Sequence, residues 1–431
     1  MRVVAFVPAK GQSDRIENKN TVILDGEHLF KRKLQQLLEC DLIDSVYLDT
    51  ESDELIELAS DLDIKVLKRD SALASNATDG HTLFANECAQ VEADLYIQSL
   101  CTSPFITAKT LARAIKTLAE DSEADSLVAV QRKRQYIWKD GRPEYGEGRI
   151  PNSIDLPEAI IESMGLYIVK AIGGAAPIKR FGSSPILFEL TDEEAVDLNW
   201  PDDLALAERI CAGYRASHNA QLDAIRPHLY SSLLADISKD RKIKALLPPG
   251  FRRISGRSIL GIAKTLELKH LEKGEDWKGI YDALSTYDFV RPGDVIVVNS
   301  GVKDAAYFGD LNANLAIRSG AIGAVVDSFT RDSIALGNLE FPVFAKGIYS
   351  HDIKYEGTVT SMNRPISIGD VLINNGDYIF ADDDGVVCIP RQIWPSIRDE
   401  AMASLKKEFD IRYSVMMGND VANILKDHGA F

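Results

Sequence analysis

The stretch Val3-Val4-Ala5-Phe6-Val7-Pro8-Ala9-Lys10-Gly11-Gln12-Ser13-Asp14-Arg15-Ile16-Glu17-Asn18-Lys19-Asn20 decides how the first half of this chain is read. Its five leading apolar residues predict a buried strand that ends at Pro8. A loop with one glycine, the cations Lys10, Arg15 and Lys19, and several small polar donors follows, and a helix over 29–38 comes next. Working outward, strands over 45–48, 65–67, 95–98 and 126–130 alternate with helices over 53–62, 82–91 and 111–118. Such alternation predicts an α/β fold with a mostly parallel sheet and helices on both faces. Ligands of these sheets bind beyond the carboxyl ends of the strands, so the loops after Val7, Leu48 and Gln98 are the ones to inspect. The first of them suits a nucleoside triphosphate, because backbone N–H groups and a lysine stabilise phosphate charge. It is neither GxGxxG nor GxxxxGK[ST], and by itself it also reads as a solvated polar turn.

The chain of 431 residues is 45% hydrophobic and 26% charged, enough for two or three domains with full cores. Disorder, a collagen-like repeat and a disulfide-stapled miniprotein are excluded by that composition. With 49 Lys and Arg against 65 Asp and Glu, the net charge is −16, and no segregated basic face is evident for nucleic acid. The five cysteines lack CxxC spacing, which argues for a reducing compartment and against a thiolate zinc site. The seven histidines form no HxxxH or HxH pair, so a metal is expected to be a hard cation held by carboxylates. No apolar run reaches the ~20 residues of a membrane helix, and no signal-peptide pattern is present. A cytoplasmic protein without a membrane partner is the expectation.

The polar run Cys211-Ala212-Gly213-Tyr214-Arg215-Ala216-Ser217-His218-Asn219-Ala220-Gln221 is the best candidate linker, which predicts domains over 1–215 and 226–425. Beyond it, short strands, turns and few helices point to an α/β domain with a more β-rich sheet. There, a strand over 294–299, a helix over 309–318 and a strand over 322–327 lead to Thr330-Arg331-Asp332. In a parallel βαβ unit the helix N-terminus and the segment after the second strand share one edge of the sheet. Asp310 and the Arg331-Asp332 pair, 21 positions later, then converge. Arg331 can take the carboxylate of an α-keto acid, Asp332 a divalent metal chelated by it, and the Leu311 and Asn312 amides add anion affinity. A metal so placed stabilises an enolate, the intermediate of aldol chemistry. Asp310 alone also reads as a carboxylate satisfying a helix dipole.

Pro8 to Asn20 is similar, without a gap, to the PARGGSKGIPRKN loop of the sialic acid and related 2-keto sugar acid cytidylyltransferases. Further matches follow in order: Tyr47 to Asp53 with "STDDEE", Cys101 to Phe105 with "PTSPL", Glu162 to Val169 with "ENGAIYI", and Val196 to Leu204 with "IDIDTPEDL". The resemblance covers about residues 1–212. It implies a Rossmann-like nucleotide-diphospho-sugar transferase domain with CTP as substrate and a keto sugar acid as acceptor. Lys19 would stabilise phosphate charge as the acid's anomeric hydroxyl attacks the α-phosphate. Ala9, Lys10, Gly11 and Asn20 would cradle the nucleotide, Thr102 and Ser103 would line the pocket, and Asp197 would hold Mg²⁺ or Mn²⁺. The chain departs from the pattern in Lys10 for Arg, Asp14 for Lys and Asn199 for the second metal-binding Asp. Leu100 stands where members carry a substrate-binding Gln, with Gln98 nearby to serve.

Gly309-Asp310 followed by Arg331-Asp332 resembles the signature of the RraA-like family. Pro292 to Val295, Phe341 to Ala345, and Asn375 to Val387 (similar to "PGDYVVADEDGVVV") support it over about residues 226–395. That family includes metal-dependent 4-hydroxy-4-methyl-2-oxoglutarate aldolases and a protein inhibitor of ribonuclease E. The resemblance implies Mg²⁺ or Mn²⁺ at Asp332, pyruvate on Arg331, and a water ordered by Asp310 for proton transfer. It also implies a homo-oligomer, a trimer or hexamer through this domain, with an acidic ligand from the neighbouring chain that finds no match here. Glycines and acids over 376–385 read as turn chemistry, and Arg132-Lys133-Arg134 as a solvated cluster. Lys303 and Lys346 lack an evident desolvating context for a Schiff base, and Trp277, Tyr281 and Trp394 read as core. Together the two halves read as a bifunctional cytidylyltransferase and pyruvate-type aldolase or lyase. The alternatives are a non-catalytic trimerisation or ribonuclease-regulating second domain, or a first domain that activates a phosphonate.

Overall fold

In the computed structural model, which describes residues 1–12, 16–75 and 77–429, the apolar run at 3–7 forms β1 (Val3–Pro8). The chain continues through α1 (Leu29–Leu38), β2 (Ser45–Thr50), α2 (Asp53–Leu58), β3 (Lys65–Lys68), α3 (Gly80–Ala89) and β4 (Leu95–Ser99). After these come α4 (Ala108–Glu120), β5 (Ser126–Lys133), β6 (Ala159–Lys170), β7 (Pro185–Glu189) and α5 (Pro201–Ile225). The seven strands form one sheet in the order β7-β5-β6-β4-β1-β2-β3, and within it only β6 runs antiparallel to its neighbours. Period-two alternation divides β1 between two cores. Ala5 and Val7 pack with Leu29, Phe30, Leu34 and Leu37 of α1, while Val4 and Phe6 pack with Phe84 and Cys88 of α3. Helix α4 begins where the Thr107 hydroxyl accepts the Thr110 N–H, and its Leu111, Ala114, Ile115 and Leu118 form one buried stripe at helical spacing. Burial of the two leucines and the isoleucine contributes about 1.5–3 kcal/mol each.

The chain divides into two compact units, Met1–Ala212 and Gly213–Phe431. The expected linker over 211–221 is helix, part of α5. Its residues are polar because they are mostly exposed, and Ala, Arg and Gln at these positions are good helix formers. Polarity without proline or clustered glycine marks a wet helix face, and the division between the units falls within it.

The second unit holds α6 (Ser231–Asp240), β8 (Arg252–Ser255), β9 (Ile259–His270), β10 (Asp294–Ser300), β11 (Ala306–Phe308), α7 (Asp310–Ser319) and β12 (Gly323–Thr330). There follow α8 (Ser333–Asn338), β13 (Val343–Ile348), β14 (Gly357–Met362), β15 (Tyr378–Ala381), β16 (Val386–Ile389) and α9 (Trp394–Met416). Nine strands make a mixed sheet, ordered β8-β13-β12-β10-β9-β15-β16, with β11 beside β12 and β14 beside β9. β10 and β12 are parallel, so the helix between them starts at the edge where β12 ends. The β15–β16 turn is held by Asp382, whose carboxylate accepts the Ser231 and Gly385 N–H groups at 2.8 and 3.2 Å, which is the turn chemistry expected of that segment. Among the described residues no helix is long and apolar enough to cross a membrane.

Candidate active sites

In the first unit a cavity of about 460 Å³ lies at the carboxyl ends of the central strands. Lys10, Lys19, Asn20, Arg69, Thr102 and Arg180 line it, and no Asp or Glu does among the described residues. In a chain of net charge −16 such a surface selects anions. Asn20 ties the loop together, because its Nδ2 donates to the Lys10 carbonyl at 2.7 Å and its Oδ1 accepts the Cys101 thiol at 3.0 Å. Lys19 Nζ donates to the Leu198 carbonyl at 3.0 Å, and the Leu198 N–H donates to the Thr102 carbonyl at 2.8 Å. Those two bonds bring the 197–199 segment against the cavity.

Other expected residues stand behind the lining. Ala9 is buried, with its N–H on the Asp49 carbonyl at 2.9 Å, and the Gly11 N–H donates to Glu51 Oε1 at 2.7 Å. The glycine amide expected to face phosphate therefore already holds a carboxylate. Ser103 is buried against Gly165 and its hydroxyl has no hydrogen-bond partner among the described residues. Gln98 is fully buried and donates to Glu87, so its place is under the sheet's α3 face and not on the cavity. Asp14 lies outside the described residues.

Beneath the cavity sits a polar network that, apart from Gln98, the sequence did not suggest. The Arg69 guanidinium grips buried Asp49 at 2.7 Å, and Glu87 and Gln98 lie alongside. Burial, then the Asp49 charge, pushes the Glu87 carboxyl well above its ordinary range. Lys33, wholly buried with Nζ on the Ile106 carbonyl at 3.2 Å, is pulled down to about 7 by burial and by Arg32. The Cys101 thiol is pushed up to about 11 by burial, against the pull of Lys19 and Lys33.

Asp197 is half-buried. Its Oδ2 accepts the Asn199 amide at 2.6 Å, and its Oδ1 is buried without a hydrogen-bond partner among the described residues. An orphaned carboxylate oxygen beside the cavity-lining Asn199 fits a hard divalent cation. No group of three or more His, Cys, Asp and Glu that could hold a metal occurs among the described residues. Further ligands would have to be substrate oxygens and water.

The second unit brings Asp310, Arg331 and Asp332 together at one cavity of about 580 Å³, which Leu311, Asn312 and Asp352 also line. The Asp310 N–H lies 3.4 Å from Asp332 Oδ2, Arg331 Nε 3.5 Å from the same oxygen, and Arg331 Nη1 2.5 Å from Asp352 Oδ2. Asp352, in a loop far along the chain, gave no local sequence signal. Ala313 is the first residue of α7 whose N–H bonds back, to the Gly309 carbonyl at 3.0 Å, so the preceding amides start the helix as potential anion donors. The Asn312 side chain is structural, with Nδ2 on the Tyr307 carbonyl at 2.9 Å and Oδ1 accepting the Tyr287 hydroxyl at 3.0 Å. Gly309 has a steric reason: a Cβ there would sit 2.5 Å from Asp332 Oδ2. Asp332 itself adopts the left-handed conformation, φ 60°, at the start of α8. As a carboxylate oxygen donor it fits a hard divalent cation, with Asp310 and Asp352 across the same cavity.

Two smaller expectations change. Lys346 does have a desolvating context, because its Nζ lies 3.7 Å over the Phe251 ring and burial lowers its pKa. It shares Asp327 with Lys303, at 3.5 Å for its own contact, and lines neither cavity described above. Trp394 is buried as expected, whereas Tyr281 is 52% exposed and lines the second cavity.

Comparison with known proteins gives two separate matches. Residues 4–140 match the family model described as cytidylyltransferase, and residues 231–388 match the one described as Aldolase/RraA. A Halalkalibacterium halodurans protein provisionally named 4-hydroxy-4-methyl-2-oxoglutarate aldolase is 36% identical over 31% of this chain and 60% of its own length. Protein DlpA of Legionella pneumophila is 31% identical over 40% of this chain and 28% of its own. The chain thus spans less than two thirds of either relative. Among solved structures, the Streptomyces coelicolor RraAS2 protein, described as an unusual member of the RNase ES inhibitor RraA family, is 26% identical over 44% of this chain and 94% of its own, with TM-score 0.40. A CMP:2-keto-3-deoxy-manno-octonic acid synthetase complexed with CTP is 12% identical over 50% of this chain and 100% of its own, with TM-score 0.37.

Proposed function

We propose that the first unit transfers a cytidylyl group from CTP to the hydroxyl of a 2-keto-3-deoxy sugar acid, releasing pyrophosphate. The observation that carries this reading is the cavity lined, among the described residues, by four cationic side chains and no acid. Lys10, Lys19 and Asn20 would bind the phosphates. Lys19, held by the Leu198 carbonyl, would meet the charge that develops as the acceptor oxygen attacks the α-phosphate and pyrophosphate leaves. A divalent cation held by Asp197 would neutralise phosphate oxygens when bound. The test is CTP-dependent pyrophosphate release across a panel of keto sugar acids, with Lys19→Met as control. Activity with none of the acids, or full activity in Lys19→Met, would count against the proposal.

For the second unit we infer an aldolase or lyase acting on a pyruvate-type 2-keto acid, the acid carboxylate on Arg331 and on the α7 amides. A divalent cation at Asp332 would supply Lewis-acid stabilisation of the enolate when bound. Asp310 would order the water that exchanges a proton with the reacting carbon or oxygen. Support comes from the convergence of these three residues on one cavity and from the Aldolase/RraA match. A homo-oligomer, trimer or hexamer, belongs to the same reading. Pyruvate release that survives in Arg331→Ala and Asp332→Asn would replace it with a non-catalytic module.

A further inference from the structure

Of the cations that line the first cavity, Arg69 is matched by Asp49 and Lys19 is fixed to the Leu198 carbonyl. Arg180 differs from both. It is only 8% exposed, yet no carboxylate lies within ion-pair distance of it among the described residues. Its guanidinium lies over the Tyr167 ring, 4.9 Å from the centroid, and its Nε is buried without a hydrogen-bond partner among the described residues. The nearby acid Glu162 takes the Tyr167 hydroxyl instead. The fold also holds Arg180 in place. A Cβ on Gly80, at the start of α3, would fall 2.3 Å from the guanidinium carbon, and the Arg180 N–H donates to His81 Nδ1 at 3.2 Å.

A desolvated guanidinium without a counter-charge is costly, and a ring face offsets that only in part. An anion arriving in the cavity would complete it, and the planar fork suits a carboxylate bidentately. Location says which anion. Tyr167 belongs to β6, which is separated by β4 from β1, the strand that feeds the Lys10 and Lys19 loop. Two strand spacings amount to roughly 10 Å. The cavity therefore has a cationic end at the loop and a second cationic end at Arg180.

We propose that Arg180 binds the carboxylate of the acceptor, which makes it the residue that restricts the first site to acids. The inference rests on the cytidylyltransferase reading of that site. In the cyclic form of a 2-keto sugar acid, the carboxylate and the attacking hydroxyl share one carbon. Gripping the former aims the latter at the α-phosphate bound at the other end.

The experiment measures equilibrium binding by calorimetry on the full chain. The titrants are CTP, then 3-deoxy-D-manno-octulosonate and its carboxyl methyl ester added to the CTP-loaded protein. The native chain is expected to prefer the acid over the ester by at least about tenfold, as for a charge-assisted bidentate contact. R180M is expected to erase that preference and R180K to retain part of it, while CTP affinity stays within about twofold in both. Retained CTP affinity reports that R180M is folded; if it is not, the acid-to-ester ratio of R180K decides in the same way. An unchanged ratio, a native chain that binds neither probe, or a tenfold loss of CTP affinity on substitution would each overturn the assignment. The last would place the guanidinium on the nucleotide. Failure of the native chain to bind CTP would remove the underlying reading, and this one with it.

Discussion

Replacing Asp49 by Asn would leave the Arg69 guanidinium buried without its counter-charge. In the native chain the two side chains are 3% and 1% exposed. Arg69 Nε donates to both Asp49 carboxylate oxygens at 3.0 and 3.1 Å, and Nη2 donates to Oδ2 and to the Asp49 carbonyl at 2.7 and 2.8 Å. Asparagine keeps the volume but turns one acceptor into an NH₂ group that faces a cation. Removing one partner of a buried pair costs about 3–5 kcal/mol. The lower end applies here, because Glu87 is freed of its like-charged neighbour and can ionise as a partial substitute. At roughly 2–4 °C per kcal/mol for a unit of this size, about 3 kcal/mol lowers the melting transition by about 6–12 °C. The assay is thermal unfolding at neutral pH by calorimetry and circular dichroism. Asp53→Asn serves as the reference, since the Asp53 and Lys68 side chains are 94% and 52% exposed and such a pair contributes about 0–1 kcal/mol. Equal, small shifts in the two variants would refute the reasoning.

Glu87→Gln makes the same network readable by pH. A carboxyl raised above 4.5 keeps in the folded state a proton that the unfolded chain releases, so native stability declines as pH rises from about 4.5 toward the raised value. Glutamine mimics the protonated acid and removes that slope. The variant is expected to match the native chain near pH 4.5 and exceed it at pH 8 in urea midpoints, and parallel curves would contradict this. In the second unit, Gly309→Ala places a methyl 2.5 Å from Asp332 Oδ2 at a backbone φ of −145° that alanine tolerates. Stability should change little, while Mn²⁺ affinity measured by calorimetry should fall by about tenfold, as when a ligand's support is disturbed. Unchanged affinity would separate that carboxylate from metal binding.

What could be read from sequence was local or periodic. The apolar run at 3–7 and the stripe at 111–118 declare a strand and a helix because one face of each must be buried. Asp310 and Arg331 could be paired across 21 positions because a parallel βαβ unit has only one way to fold back. Arg69, Arg180 and Asp352 were invisible for the opposite reason. Each lies outside the regular elements, and a side chain there is assigned to a cavity only by the whole topology. Gln98 failed differently. It is one residue before the end of β4, where alternation turns it toward Glu87 and away from the opening. The helical conformation of the polar run after Cys211 was not legible, because solvent exposure and chain irregularity have similar compositions.

The left-handed backbone of Asp332 constrains how this position can drift over evolutionary time. Asparagine and aspartate reach φ near 60° at little cost and glycine at none, whereas most other side chains lose roughly 1–2 kcal/mol there. Two selections therefore act on one codon, one for a charge at the cavity and one for a turn into α8. A descendant released from the first would still answer to the second. Its mutations at 332 would collect in asparagine and glycine, and only glycine there would release Gly309, since asparagine keeps an atom in the place of Asp332 Oδ2. The pattern at the two positions taken together would date the loss of chemistry in a lineage that kept the fold.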